Sequence, residues 1–133
     1  MVDGALNERP AHELAVAIRN GELRSRDLTD SVLDAIEKQN EQVNAYITVD
    51  AEGARAQADQ VDRRISSGDA VGPLAGIPVG LKDLICTKGL KTTCASHILN
   101  NFIPPYDATV VAKLFLQTGA DLAFFGEEDF QQL

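Results

Sequence analysis

Reactive chemistry in this 133-residue sequence is concentrated in one stretch, GPLAGIPVGLKDLICTKGLKTTCAS, residues 72 to 96. From Leu74 to Leu81 the chain is apolar or glycine apart from the turn-forming Pro78. Lys82 and Asp83 then arrive together, and apolar residues resume at Leu84 and Ile85. An ammonium in that place has two readings. It can snorkel out from a strand end, or pair with Asp83 at the surface. Alternatively, Ile77, Val79 and Leu84 shut water away from it. Desolvation disfavours the charged form, and a lysine that becomes neutral near physiological pH can act as a general base towards a serine hydroxyl. Asp83 would oppose this if it faced the same way. Adjacent strand residues point to opposite faces, so Asp83 is expected to bond loop backbone instead.

The other reactive residues give weaker patterns. Cys86 and Cys94 lie eight apart, and neither His12 nor His97 stands at a spacing that would complete a four-ligand zinc set. Both thiols are expected to be reduced and half-buried, and His97 to sit on a surface loop or cap. Gly72, Gly76 and Gly80 form GxxxGxxxG, which is neither a dinucleotide fingerprint nor a phosphate loop. Pro73 and Pro78 also rule out a membrane-helix contact. Tight turns and close backbone approach account for these glycines.

Twelve basic and twenty acidic side chains give a formal charge of -8, which repels phosphate backbones and argues against unaided nucleic-acid binding. No apolar stretch is long enough to span a bilayer, so no membrane partner is expected. MVDGALNERP lacks the pattern of a signal peptide, and a cytoplasmic location is the expectation. Hydrophobic residues at 44% and charged residues at 24% suit a folded chain with one modest core.

The elements that must position Lys82 follow from spacing. Pro10 suits the first turn of a helix through Leu14, Ala17 and Ile18, stopped by Gly21. Ser25 can cap a second helix, with Leu28, Val32, Leu33, Ile36 and Asn40 on one face and Asp27, Asp30 and Lys38 matched to its dipole. AYITV, residues 45 to 49, reads as a short strand or an extended connector. Ala54, Ala58, Val61 and Ile65 mark a third helix, ended near Gly68. Fourteen acidic residues precede Gly72 and six follow it. Residues 77 to 85 read as a strand and its exit. Asp107 or Thr109 can cap a helix that places Val110, Val111, Leu114, Phe115 and Thr118 together, and residues 120 to 126 form a buried strand. Strand, helix and strand make a βαβ crossover with a partly parallel sheet. The expected class is α/β, with a helical region over 1–71 and the start of an α/β core over 72–133.

These residues carry a resemblance. The 72–96 stretch is similar to the opening motif of the amidase signature family, whose fold packs helices on a mixed, partly parallel sheet. TTCAS at 92–96 and PPYDATVV at 104–111 resemble its branch of A subunits of tRNA-dependent amidotransferases. The resemblance runs from about residue 10 to 126 and takes in the first third or less of the family's length.

It implies a Ser–Ser–Lys triad in which Lys82 matches the lysine. That lysine takes a proton from a bridging serine on a cis peptide, which activates the nucleophilic serine. Glutamine would be hydrolysed to supply ammonia for ATP-dependent conversion of Glu-tRNA(Gln) to Gln-tRNA(Gln). The implied partners are the other subunits of a heterotrimer, with tRNA held through the complex. ATP and magnesium belong to that complex, and no cofactor is expected in this chain. Neither triad serine has a counterpart here, since Ser66, Ser67 and Ser96 match no part of the serine-rich segment. Glu127 stands where the family has a lysine. The expectation is that this chain alone shows no glutaminase turnover. A fragment of a small-amide amidase, or a scaffold that binds partner subunits without catalysis, are the alternatives.

Overall fold

The computed structural model describes residues 5–118 and 124–126. Three helices come first: α1 (Ala11–Arg19), α2 (Ser25–Val43) and α3 (Ala51–Ser66), after a short 3-10 turn at Leu6–Glu8. β1 (Gly80–Lys82), α4 (Thr109–Thr118) and β2 (Phe124–Gly126) follow. Among the described residues the architecture is mostly helical with a small two-stranded parallel sheet, as an incomplete α/β fold should be.

Leu14, Ala15 and Ile18 of α1 pack on Leu28 of α2 and on Ile77, while Leu33 of α2 meets Ala54 and Ala58 of α3. The alanines let α3 approach α2 closely, and charged groups seal the seam. Arg26 binds Asp30 and Asp59 at 2.9 and 2.7 Å, and Arg55 binds Asp30 at 2.7 Å.

Several expected details resolve differently. Ser25 does not cap α2. Its Oγ donates to the Gly76 carbonyl at 2.9 Å, and the cap comes from α3. There the Asp62 carboxylate accepts from the Ser25 and Arg26 N–H groups at 2.7 and 3.2 Å. A carboxylate suits that position, because the first N–H groups of a helix lack intrahelical partners and carry partial positive charge. α3 is capped by Asp50, which accepts from the Gly53 N–H. Residues 45–49 form the connector, one of their two expected readings. Asn40 holds its start by donating to the Tyr46 carbonyl and accepting from the Tyr46 N–H.

Gly76 joins the helices to the loop that enters β1. Its φ is +81°, and a Cβ there would sit 2.9 Å from Ser25 Cβ and Oγ and 3.2 Å from Ile18 Cγ2. Gly76 thus carries a close backbone approach, as expected of the spaced glycines.

The strand expected over 77–85 is only Gly80–Lys82. Turn bonds close behind it at Gly72–Ala75 and Leu74–Ile77, and ahead of it at Lys82–Ile85. Pro78 also cannot donate to a ladder. β1 pairs with β2 in parallel, Lys82 opposite Gly126, with α4 as the crossover. Residues 120–123 and Glu127 lie outside the described residues. On α4, Val111 is buried against Leu81 with Leu114 beside it, whereas Val110 is exposed, one residue round the helix from the packed stripe. The side chains of Phe115 and Thr118 lie outside the description.

Candidate active site around Lys82 and Asp83

Lys82 ends β1, and the residues around it alternate as the strand reading requires. Leu81 and Asp83 are buried and Lys82 is half-buried. Leu81 points into the cluster with Val111, Val79 and Ile85. Lys82 belongs to the other face. Of the residues expected to shield it, Ile77 is buried in the cluster of α1 and α2, Val79 packs against the cluster of Leu81, and Leu84 is 56% exposed. Leu84 falls within the tight turn in which the Lys82 carbonyl accepts from the Ile85 N–H at 2.9 Å, so it points outward.

Asp83 is 4% exposed and bonds loop backbone, as strand alternation demands. Its Oδ1 accepts from the Thr93 N–H at 2.8 Å, and its Oδ2 accepts from the Thr93 hydroxyl and, at 3.1 Å, from the Ala95 N–H. The Asp83 carbonyl takes the Cys94 N–H at 3.1 Å. Three consecutive residues, 93 to 95, are thereby tied to one aspartate. Cys94 and Ala95 both adopt φ of +52°, a left-handed conformation that residues with a Cβ disfavour. The rest of the loop is stitched without forming strands. The Gly89 N–H donates to Pro104, Thr92 to Phe102 and Ala108 to Cys86. Asp107, expected as a helix cap, accepts from the Lys88 N–H at 2.8 Å, and Thr109 is the first residue of α4.

The remaining candidates do not converge on Lys82. Both cysteines are free; Cys86 is half-buried as expected and Cys94 is exposed. Cys86 Sγ lies 3.7 Å from the Tyr106 hydroxyl, and the sulfur, as hydrogen-bond acceptor and a neighbour of like charge when ionised, pushes the phenol above its ordinary range. His12 and His97 are exposed. Ser66 and Ser67 spend their hydroxyls on the carbonyls of Asp62 and Arg63 at the end of α3, and Ser96 accepts from the Ile98 N–H. Among the described residues no group of three His, Cys, Asp or Glu side chains could hold a metal ion. No described helix is long and apolar enough to cross a membrane.

A lysine at the end of a parallel strand, beside a loop locked by its neighbouring aspartate, occurs here within residues 27–127, which match the Amidase family. The chain belongs to that family. The A subunit of glutamyl-tRNA(Gln) amidotransferase from Geobacter sp. (strain M21) is 49% identical over 119 residues, covering 90% of this chain and 24% of that protein. The chain thus spans about a quarter of the length of the curated relatives it matches. Among solved structures, native peptide amidase from Stenotrophomonas maltophilia superposes with a TM-score of 0.77 at 30% identity, over 91% of this chain and 24% of that one. A bacterial aryl acylamidase superposes at 0.83 with 23% identity, over 93% and 26%, and shows the shared fold.

Caps at Asp62 and Asp50 escaped the sequence reading for different reasons. Asp50 stands three residues before Gly53, a local signal for an N-cap. Asp62 acts on a helix 36 residues earlier, and no local pattern announces that.

Proposed function

We propose that this chain supplies the general base, Lys82, to a glutamine-hydrolysing amidase of the amidotransferase A-subunit type. The identity with the Geobacter protein carries the reading, since it extends over nine-tenths of the chain, through the strand and loop at 80–96. In its neutral form the Lys82 amine accepts the proton of a serine hydroxyl, and that serine takes the proton of a second, nucleophilic serine. Attack on the glutamine amide carbon forms a tetrahedral intermediate. Its collapse returns a proton to the departing nitrogen, releases ammonia and leaves an acyl-enzyme that water hydrolyses to glutamate. Both serines come from the part of the family's length that this chain does not match.

In the assembly, ammonia passes to a partner chain, where it amidates Glu-tRNA(Gln) at the expense of ATP. The negative charge of this chain agrees with partner subunits holding most of the tRNA. Such an assembly would work in the cytoplasm.

The test is a chimera in which this chain replaces the matching residues of the Geobacter protein and is assembled with its partners. Lys82→Ala and Lys82→Arg should each lower kcat for glutamine hydrolysis by about a thousandfold or more. Arginine keeps the charge and cannot lose its proton, so an active Lys82→Arg enzyme would refute the assignment. Preference for a small amide over glutamine in the parent chimera would favour a general amidase instead.

A further inference from the structure

We infer that Asp83 is a positioning residue for the reacting lysine, clamping residues 93–95 against the exit of β1 and fixing the turn from which Lys82 projects. Its effect on catalysis rests on the reading of Lys82 as the base. The geometry of the clamp does not.

Three observations converge. First, a buried carboxylate is costly unless its lone pairs are satisfied, and Asp83 accepts three hydrogen bonds from two loop residues. Second, those bonds hold a stretch in which two successive residues with Cβ atoms are left-handed. Such conformations persist only where the surroundings over-determine them, and they gather at functional sites. Third, the carbonyls on either side take part: Lys82's accepts from Ile85, and Asp83's from Cys94. The backbone that carries Lys82 is therefore bonded to the loop on one side and to its own turn on the other. No regular ladder could do this, since β1 is three residues long and the loop has no strand. A shift of about an ångström in a proton-transferring group is enough to cost two orders of magnitude in rate.

Residue-resolved amide exchange on the 133-residue chain tests the clamp. Asp83→Ala should speed exchange at Thr93 and Ala95 by roughly a hundredfold, because both N–H groups lose a charged acceptor, while amides of α1 to α3 change less than about threefold. Asp83→Asn keeps one carbonyl oxygen and should restore protection at one of the two amides but not both. Thr93→Val, which removes only the hydroxyl donor, should give a smaller acceleration at the same sites. Unchanged exchange at Thr93 and Ala95, or equal acceleration throughout the chain, would overturn the clamp.

In the chimeric amidotransferase, Asp83→Asn should lower kcat about tenfold or more with KM within about twofold, as loss of positioning requires. Unchanged kcat would overturn the positioning role. An active Lys82→Arg enzyme would sink the base assignment while leaving the exchange result standing, so the two failures are distinguishable.

Discussion

Asp62 and Asp83 each accept N–H bonds from backbone remote in sequence, yet one does so inside a net of arginines and the other inside a loop. Asp62 lies where α3 meets the start of α2, with Arg24 at 3.5 Å and Arg26 close by. The helices it joins are also held by an apolar seam, so this carboxylate adds to a contact that other residues already specify. Asp83 serves a segment with no helix and almost no strand. There the carboxylate substitutes for a ladder along the side of the loop that faces β1. Losing Asp62 should weaken the framework, whereas losing Asp83 should spare the framework and loosen the site.

The junction of the two regions should be the most sensitive point. Gly76→Ala places a Cβ against Ser25 and Ile18 and forces alanine into a left-handed φ, at a cost of about 3 kcal/mol. Urea unfolding should show a lower midpoint at unchanged slope. A midpoint equal to that of the parent would mean that the two regions do not depend on this contact.

Asp62→Ala should cost about 2 kcal/mol, because the first N–H groups of α2 lose their acceptor. Asp62→Asn keeps an acceptor and should cost about half as much. Equal losses in the two variants would shift the weight from the cap to the ion pair with Arg24.

The smallest effect belongs to the exposed net. The hydrogen bond from Arg55, helped by Arg26, holds Asp30 below the usual carboxylate range. Its folded value lies below its unfolded one, so its contribution is complete above roughly pH 4 and fades as pH falls through the folded value. Asp30 is 40% exposed, and screening keeps that contribution under about 1 kcal/mol. Unfolding midpoints at about pH 7 and about pH 3 should therefore differ less in Asp30→Asn than in the parent, and the gap should narrow in high salt.

The two regions were also unequally legible in the sequence. α1, α2 and α3 repeat apolar residues at helical spacing, so Leu14, Ile18, Leu28, Leu33, Ala58 and Val61 announced the core directly. Loop order between 83 and 108 has no period. Strand alternation at Lys82–Asp83 foretold which way Asp83 would turn, but not that it would reach ten to twelve residues ahead to Thr93 and Ala95. Similarly, Asp107 looked like a cap because it precedes a helix, and the structure spends it on Lys88, nineteen residues back. Side chains that bond across such separations leave no local signature. The parallel pairing of β1 with β2 was legible, because helix-linked strands have few other topologies open to them.

The base assignment itself stands or falls on the protonation of one amine. An NMR titration of the Lys82 side-chain nitrogen in the chimeric amidotransferase should find the amine already neutral near physiological pH. An amine that stays cationic to about pH 10 would contradict the account, because no neutral lysine would be present to take a proton from serine at physiological pH.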